Sequence, residues 1–245
     1  YRRGRKSKIM KNETDLSAIK KVSILLLMIK VHETEFSPVI VKHPFTDSGI
    51  AGIQYNGAFK VLNIVGSSHD LSLWLNFMER KIEEADSLFK IFMMVTKPYR
   101  LTFLKYIEPY LSRNDFSNIL VNAWMSAEYV NQYIDVSKNK LISMFKSANP
   151  AIMMDEGEYK QFKNLEDVLT VYRGVTSYNS KSIKVMSWTL SLDTAKWFSN
   201  RFGEKGTVYK AHIRKQYVFA LLNGRNESEV VVDPEYLTDV IKMQD

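Results

Sequence analysis

Two glutamates stand two positions apart just after a turn-forming segment and at the start of a run of valines. They are Glu227 and Glu229, in the stretch NGRNESEVVVDP at 223–234. Alternate side chains of a strand point to the same face, so these two carboxylates are expected to lie about 7 Å apart on one face. Two like charges on one face cost free energy unless a cation or a substrate lies beside them. The plain alternative is a solvated strand end.

An arginine and two hydroxyl residues precede the glutamates in a part of the chain that is rich in strand-like runs. Arg173 is the middle residue of YRG, and Ser187 and Thr189 are the hydroxyl residues of SWT. A segment with helical spacing, LDTAKWFSNRF at 192–202, follows them. Each feature alone has an ordinary explanation as a surface charge or a strand-edge hydroxyl. Their order along the chain is more specific than any one of them.

This ordered set resembles the mono-ADP-ribosyltransferases of the bacterial-toxin type. Their signature is an Arg on one strand, a Ser-Thr-Ser-like strand followed by a helix, and a Glu/Gln-x-Glu on a later strand. The corresponding segments here are YRG at 172–174, SWT at 187–189 and ESE at 227–229. The resemblance covers about 166–234. It implies an α+β fold, with an ADP-ribosyltransferase-like mixed β core of two packed sheets preceded by a helical layer.

The resemblance also implies that NAD is the substrate and that nicotinamide is released. Breaking the bond between nicotinamide and ribose creates positive charge on the ribose, as in glycoside cleavage. A fixed carboxylate stabilises that charge as it develops, and this role falls to Glu229. Ser187 is implied to orient Glu229, and Arg173 to bind the pyrophosphate by charge and fork geometry. In the family, a Glu at the position of Glu227 accompanies arginine acceptors, because a carboxylate pairs with a guanidinium and helps to remove its proton.

The resemblance implies further site residues, some for binding NAD and some for recognising the acceptor. For NAD binding they are Tyr172, Gly174 and Thr189, and for acceptor recognition, beside Glu227, they are Arg225 and Asn226. Tyr172 is equally well explained as a packing residue. The middle residue of SWT departs from the family pattern, since Trp188 is bulky where the family often has Thr. Strand alternation turns the indole away and leaves both hydroxyls on one face.

The elements around these motifs change in character along the chain. Residues 35–65 alternate short strand-like runs with turns, and residues from Asp70 have helical spacing. Helical stretches are predicted over about 70–95, 98–111, 115–130 and 136–147. The domain prediction is a disordered basic arm at 1–14, a small β-rich appendage of unknown role at 15–66, and a transferase-like domain at 67–245. Within that domain the helical layer spans about 70–147 and the catalytic β core about 166–245.

Composition excludes several other classes of chemistry. A chain of 245 residues can bury one good-sized core, or one domain and an appendage. The absence of cysteine rules out disulfides, thiolate metal sites and a cysteine nucleophile. No histidine pair has metalloprotease spacing, so no metal is predicted. The apolar run ILLLMI at 24–29 is too short to span a bilayer, and no secretory signal is predicted. We therefore expect no membrane insertion and a cytoplasmic location, in the protein's own cell or in a target cell.

The positive charge of the chain is concentrated at its start. Of the net charge of +7, six positive charges lie in the first twelve residues, which contain no acid, so the remainder carries only +1. Such an arm can contact nucleic acid or an acidic partner, and it can equally be a solubilising tail.

The leading hypothesis is an NAD-dependent mono-ADP-ribosyltransferase that acts on a macromolecular acceptor, with a protein arginine preferred over nucleic acid. Two alternatives keep the chemistry and change the acceptor to nucleic acid or to water, the latter making an NAD glycohydrolase. A third alternative, of another class, is a catalytically inactive interaction module on the same fold. By analogy the protein is a bacterial or phage-encoded modifier or a delivered toxin, for which an inhibitor or antitoxin is a candidate partner.

Overall fold

The computed structural model of the protein describes residues 12–127, 135–179, 183–203 and 206–243. Nearly all of the predicted basic arm, residues 1–11, lies outside the described residues. The chain divides into two compact units, one made of the described residues up to 136 and the other of those from 137 onward.

The first unit combines helices with small antiparallel sheets. Its described helices are α1 (Leu16–Leu27), α2 (Ser68–Glu84), α3 (Leu88–Met94), α4 (Arg100–Ile107) and α5 (Arg113–Ser126). Its described strands are β1 (His32–Thr34), β2 (Ser37–His43), β3 (Thr46–Ser48), β4 (Ile50–Tyr55) and β5 (Ala58–Asn63). Strands β1, β2 and β3 form one sheet, and β4 and β5 form a two-stranded sheet. Helix α1 was not predicted from the sequence.

Serine side chains that cap the N-termini of helices determine where helices of the first unit begin. The Ser67 side chain accepts a hydrogen bond from the backbone N–H of Asp70, so α2 starts before Asp70. The Ser87 side chain accepts from the N–H of Lys90 and starts α3 as a separate helix. The single helix predicted over 70–95 is therefore two helices.

His43 is a buried polar residue of the first unit, with 1% of its surface exposed. Its Nδ1 accepts a hydrogen bond from the N–H of Phe45 at 3.1 Å, so Nε2 carries the proton and donates to the carbonyl of Leu27 at 3.2 Å. The indole of Trp74 meets the imidazole edge-on, with 5.3 Å between ring centres. Burial lowers the pKa of His43, because the surroundings favour the neutral ring.

The second unit is built on one antiparallel sheet. Its described helices are α6 (Lys138–Ser147), α7 (Pro150–Met153), α8 (Glu156–Lys163) and α9 (Leu192–Ser199). Its described strands are β6 (Val168–Val175), β7 (Ser187–Thr189), β8 (Thr207–Arg214), β9 (Val218–Leu222), β10 (Glu229–Val232) and β11 (Thr238–Lys242). The six strands lie in the order β11-β8-β6-β7-β10-β9. Helices and antiparallel sheets together confirm the α+β class.

The six-stranded sheet consists of two halves joined at a single position. Strand β6 pairs with β8 over the whole of Val168–Val175, and β10 pairs with both β7 and β9. Strands β6 and β7, by contrast, pair only between Tyr172 and Thr189. The sequence implied two packed sheets. The described strands form one hydrogen-bonded sheet whose halves, β11-β8-β6 and β7-β10-β9, share this one pair.

The boundary between the units differs from the boundary predicted at 66/67. The structural division falls at 136/137, so α2 to α5 belong to the first unit and α6 to the second. The predicted helical layer at 70–147 is thus shared between two units. Helical periodicity shows which face of a helix is buried and does not show which core that face belongs to.

Candidate functional site

The candidate site is formed where three neighbouring strands of the second unit meet. Glu229 is the first residue of β10, and it pairs with Thr189 on β7 and with Leu222 on β9. Its carboxylate is buried, with 4% of the residue exposed. Strand β7 lies between β10 and β6, which carries Arg173. The topology therefore brings Arg173, Ser187 and Glu229 together across three strands.

Ser187 holds one oxygen of the Glu229 carboxylate. Its Oγ donates a hydrogen bond to Glu229 Oε1 at 2.6 Å. Bonds this short are typical of a hydroxyl that donates to a charged carboxylate. Because Ser187 pairs with Val231 and Glu229 with Thr189, the bond runs diagonally across the two strands. The carboxylate is fixed from the neighbouring strand.

Arg173 bridges the gap where β6 and β7 cease to pair. The carbonyl of Met186 accepts a hydrogen bond from Val232 N–H, on the β10 side of β7. Successive residues of a strand direct their backbone groups to opposite sides, so the carbonyl of Ser187 is directed toward β6. Arg173 Nη1 donates to that carbonyl at 2.8 Å. A side chain thus replaces a ladder hydrogen bond at the junction of the two halves.

The rest of the Arg173 guanidinium is suited to an anion. Its Nε is buried and has no hydrogen-bond partner among the described residues. Burial lowers the pKa of Arg173 to about 10, and the negative charge of Glu229 opposes that shift. The group therefore remains a cation at neutral pH. A half-buried cation with an unused, buried Nε donor fits a phosphate group, which accepts hydrogen bonds and carries charge.

The two glutamates do not share a strand, which corrects the geometry expected from the sequence. Glu227 lies in the turn before β10, and the residue between the glutamates, Ser228, has a left-handed φ of 45°. Asn226 is also left-handed, with φ 56°. Asn223 stabilises the turn, since its carbonyl accepts from Asn226 N–H at 2.8 Å and its Oδ1 accepts from Ser228 N–H at 3.1 Å. A turn, and not strand alternation, sets the spacing of the carboxylates.

The carboxylates of Glu227 and Glu229 both lie beside one cation, the guanidinium of Arg225. Arg225 Nη2 lies 2.9 Å from Glu227 Oε2 and 3.4 Å from Glu229 Oε2. The Arg225 side chain is 42% exposed, that of Glu227 23% and that of Glu229 6%. From the sequence, Arg225 was expected to contact the acceptor. In the structure its guanidinium is paired with carboxylates of the protein itself. The cation that two neighbouring glutamates require is supplied from the same turn.

The second hydroxyl of SWT anchors this turn. Thr189 Oγ1 donates to the carbonyl of Glu227 at 2.6 Å and accepts from Ser191 N–H at 3.0 Å. Ser191 caps α9, so Thr189 links the turn to the start of that helix. Trp188 points away, as expected: it is 2% exposed, and its Nε1 donates to the carbonyl of Val185 at 3.0 Å. Thr189, predicted to bind NAD, uses its hydroxyl to position Glu227.

Gly174 and Tyr172, predicted to bind NAD, flank Arg173 on β6. A Cβ on Gly174 would lie 2.0 Å from the carbonyl oxygen of Ala195 and 2.6 Å from the nitrogen of Ser199. Glycine is therefore required for the close approach of α9 to β6. Tyr172 is half-buried and forms the single pair with Thr189 that joins the halves of the sheet.

A further carboxylate that the sequence analysis missed supports the turn from α8. Glu158 Oε2 accepts from the N–H of Asp155 at 3.0 Å, while Asp155 Oδ1 accepts from the N–H of Glu158 at 2.7 Å. This reciprocal capping box starts α8. Glu158 Oε1 also accepts from the N–H of Asn223 at 2.5 Å. The signal was present in the sequence as D-x-x-E at 155–158.

Comparisons of the chain with protein-family models, with curated proteins and with solved structures found no match. Within the described ranges, no helix has both the length and the apolar character needed to cross a membrane. The same ranges contain no group of three or more His, Cys, Asp or Glu side chains placed to hold a metal ion.

Proposed function

We propose that the protein is an NAD-dependent mono-ADP-ribosyltransferase that transfers ADP-ribose to an arginine of a macromolecular acceptor and releases nicotinamide. One observation carries the proposal: Glu229, buried at 4% exposure, is held by the hydroxyl of Ser187 at 2.6 Å from the neighbouring strand. A carboxylate fixed in this way is preorganised to stabilise positive charge. Its burial strengthens that effect, because charges interact more strongly away from water.

Each residue of the site has a part in the proposed reaction. Arg173 offers its buried Nε to the pyrophosphate of NAD while Nη1 stays bonded to β7. Glu229 bonds a ribose hydroxyl and stabilises the ribose as nicotinamide departs with the electrons of the glycosidic bond. Ser187 fixes Glu229 in the orientation that this requires. The protein supplies position and charge, and NAD supplies the bond that breaks.

The divided sheet supports the fold that this function implies. That fold has a core of two packed sheets, and the two halves of the sheet in the second unit share only the pair Tyr172–Thr189. A sheet joined at a single pair is closer to two sheets than a continuously paired one, although its strands form one hydrogen-bonded sheet. Arg173 lies at this junction, so the donor proposed for the pyrophosphate is at the boundary between the halves.

An arginine acceptor is supported by the contact that Glu227 already makes. Its Oε2 lies 2.9 Å from a guanidinium nitrogen, so the carboxylate is oriented to receive that chemical group. The pair is charge-assisted through a single nitrogen, and a planar guanidinium can add a second parallel bond to a carboxylate, which an ammonium cannot. Water and nucleic acid remain the alternative acceptors.

Release of nicotinamide from NAD by the purified protein tests the proposal. Glu229→Gln keeps the size of the side chain and its ability to accept from Ser187, and it removes the negative charge. We expect the rate to fall by about a hundredfold or more, the usual loss when one preorganised electrostatic group is removed. Glu235→Gln, an exposed glutamate of the same unit, is the matched control and should keep the wild-type rate.

Incubation with a cell lysate and labelled NAD identifies the acceptor. Label that resists ribonuclease and is removed by protease indicates a protein, and the opposite pattern indicates nucleic acid. Cleavage without any label indicates hydrolysis by water. If the folded protein cleaves no NAD with or without lysate, the proposal is wrong and a non-catalytic interaction module is favoured.

A further inference from the structure

The guanidinium of Arg225 lies where the acceptor of the proposed reaction has to lie. Its Nη2 is 2.9 Å from the carboxylate proposed to receive the acceptor and 3.4 Å from the carboxylate proposed to act on the ribose. A nitrogen between Glu227 and Glu229 is beside the ribose whenever NAD is bound at Glu229. The nucleophile is thus already present in the turn.

Resting on the proposed function, we infer that Arg225 is itself an acceptor, and that the protein ADP-ribosylates this residue within one molecule. The modification site is Nη2 of Arg225, the base is Glu227, and the co-substrate is NAD.

Tethering favours this reaction over attack by an outside arginine. Arg225 is two residues from Glu227 in a turn that is held by Asn223 and Thr189. A nucleophile held in this way behaves as if present at very high concentration, because its position has already been fixed by folding. Its side chain is 42% exposed, which leaves room for the bulky product to extend into solvent.

Other arginines of the second unit lack this placement. Arg173 is half-buried and donates to the carbonyl of Ser187. The guanidinium of Arg201 lies over the rings of Trp197 and Phe198, at 5.2 Å and 5.5 Å from their centres. Arg214 is exposed at the end of β8, a strand that is not a neighbour of β10. We therefore expect one preferred site.

The proposed step balances without any further reagent. The bond between ribose C1′ and the nicotinamide nitrogen breaks, and its electron pair leaves with nicotinamide. Nη2 of Arg225 gives a proton to the carboxylate of Glu227, and its electron pair forms the new bond to C1′. The products are ADP-ribosylated Arg225, nicotinamide and a proton, which Glu227 passes to water.

Peptide mapping by mass spectrometry after incubation with NAD tests the inference. The intact mass is first read before NAD is added, since cellular NAD can modify the protein during expression. We expect a gain of one ADP-ribose per molecule, carried by Arg225. The labelling rate per molecule should stay constant over about a hundredfold dilution, as an intramolecular reaction requires. Arg225→Gln should lack this label, and the matched control Arg214→Gln should acquire it at Arg225.

The outcomes separate this inference from the proposed function. Nicotinamide release from the wild type without label on Arg225 overturns self-modification and leaves the transferase proposal standing. Label on Arg225 whose rate per molecule falls on dilution shows modification between molecules and overturns the intramolecular step. No release and no label overturns both. Because mapping of the wild type is decisive, the inference does not depend on how Arg225→Gln folds.

Discussion

The carboxylate of Glu229 is a buried charge whose stability depends on a few named partners. Ser187 donates to one of its oxygens, Arg225 lies beside the other, and the charge of Arg173 acts on it as well. An unpaired carboxylate in this position would be costly, because burial removes the water that stabilises its charge. The same partners that make the burial tolerable also fix the orientation of the group.

Removing the hydroxyl of Ser187 should therefore lower the rate of NAD cleavage while the sheet remains intact. A hydrogen bond to a charged group contributes roughly 1.5–3 kcal/mol, so Ser187→Ala should slow nicotinamide release by about ten- to a hundredfold. Ser187→Thr keeps the hydroxyl on a residue that suits a strand and should restore most of the rate. Equal rates for wild type and Ser187→Ala would show that this bond does not orient a catalytic group.

At the scale of the elements, β6, the strand that carries Arg173, packs directly against α9, the helix that follows SWT. The contact depends on Gly174, whose missing side chain leaves space for the α9 backbone at Ala195 and Ser199. Backbone atoms cannot move aside as the end of a flexible side chain can. Any larger residue at this position must separate the two elements.

Gly174→Ala should lower the free energy of unfolding of the second unit by about 1–3 kcal/mol or more, the usual cost of overpacking. Gly157→Ala is the matched control: a Cβ there meets only the Asp155 carboxylate, at 3.3 Å, and alanine favours the helix α8. Chemical denaturation of the two variants beside the wild type makes the comparison. Equal stability of Gly174→Ala and the wild type would contradict the close packing of α9.

His43 gives the first unit a dependence on pH. Its folded-state pKa lies below the ordinary value of about 6.5, so the unfolded chain binds the proton more readily. Stability should therefore fall as the pH drops below about 6.5, down to the folded-state pKa. Thermal melting of His43→Gln between pH 5 and about 7.5 should show a weaker slope than the wild type.

His69→Gln, at an exposed histidine of the same unit, is the matched substitution for this comparison. If His43→Gln does not fold, an NMR titration of His43 in the wild type answers the same question. An ordinary pKa in that titration would contradict the effect of burial.

The sequence was informative where residue type determines local geometry and uninformative where geometry depends on the assembled fold. Runs such as EVVV and YVFALL predicted strands, and the resemblance implied a contact between Ser187 and Glu229. Helix α8 was missed because it is short and its capping box was not recognised. No residue pattern predicts the left-handed conformation of Ser228, since serine rarely adopts it. The pairing of Arg225 with both glutamates follows from that turn and was missed with it.

At the scale of the whole molecule, the chain is two compact units whose boundary lies at 136/137. All residues of the candidate site belong to the second unit, which has its own sheet and helices. The first unit contributes none of them. The smallest fragment that holds the site therefore depends on the boundary. It is 67–245 for the sequence-based boundary at 66/67 and 137–245 for the structural boundary at 136/137.

Two fragments distinguish these boundaries. We expect the fragment 137–245 to unfold cooperatively and to cleave NAD with the Glu229 dependence of the full chain, because it contains a complete sheet. The fragment 67–245 is the comparison. If 67–245 folds and 137–245 does not, the helices before 137 are needed for the second fold, and the sequence-based boundary is the better one. Circular dichroism and nicotinamide release report both properties.

The turn between β9 and β10 has a consequence for how such a protein can diverge. Glu229 is secured within a sheet by partners on both neighbouring strands, whereas Glu227 belongs to a loop. Loops accept substitution and insertion far more readily than paired strands. Evolution can therefore alter the residue presented to an acceptor while the carboxylate proposed to act on NAD is conserved. In the proposed transferase, this arrangement separates the choice of target from the chemistry, so that new targets can be acquired while Glu229 keeps its place in the sheet.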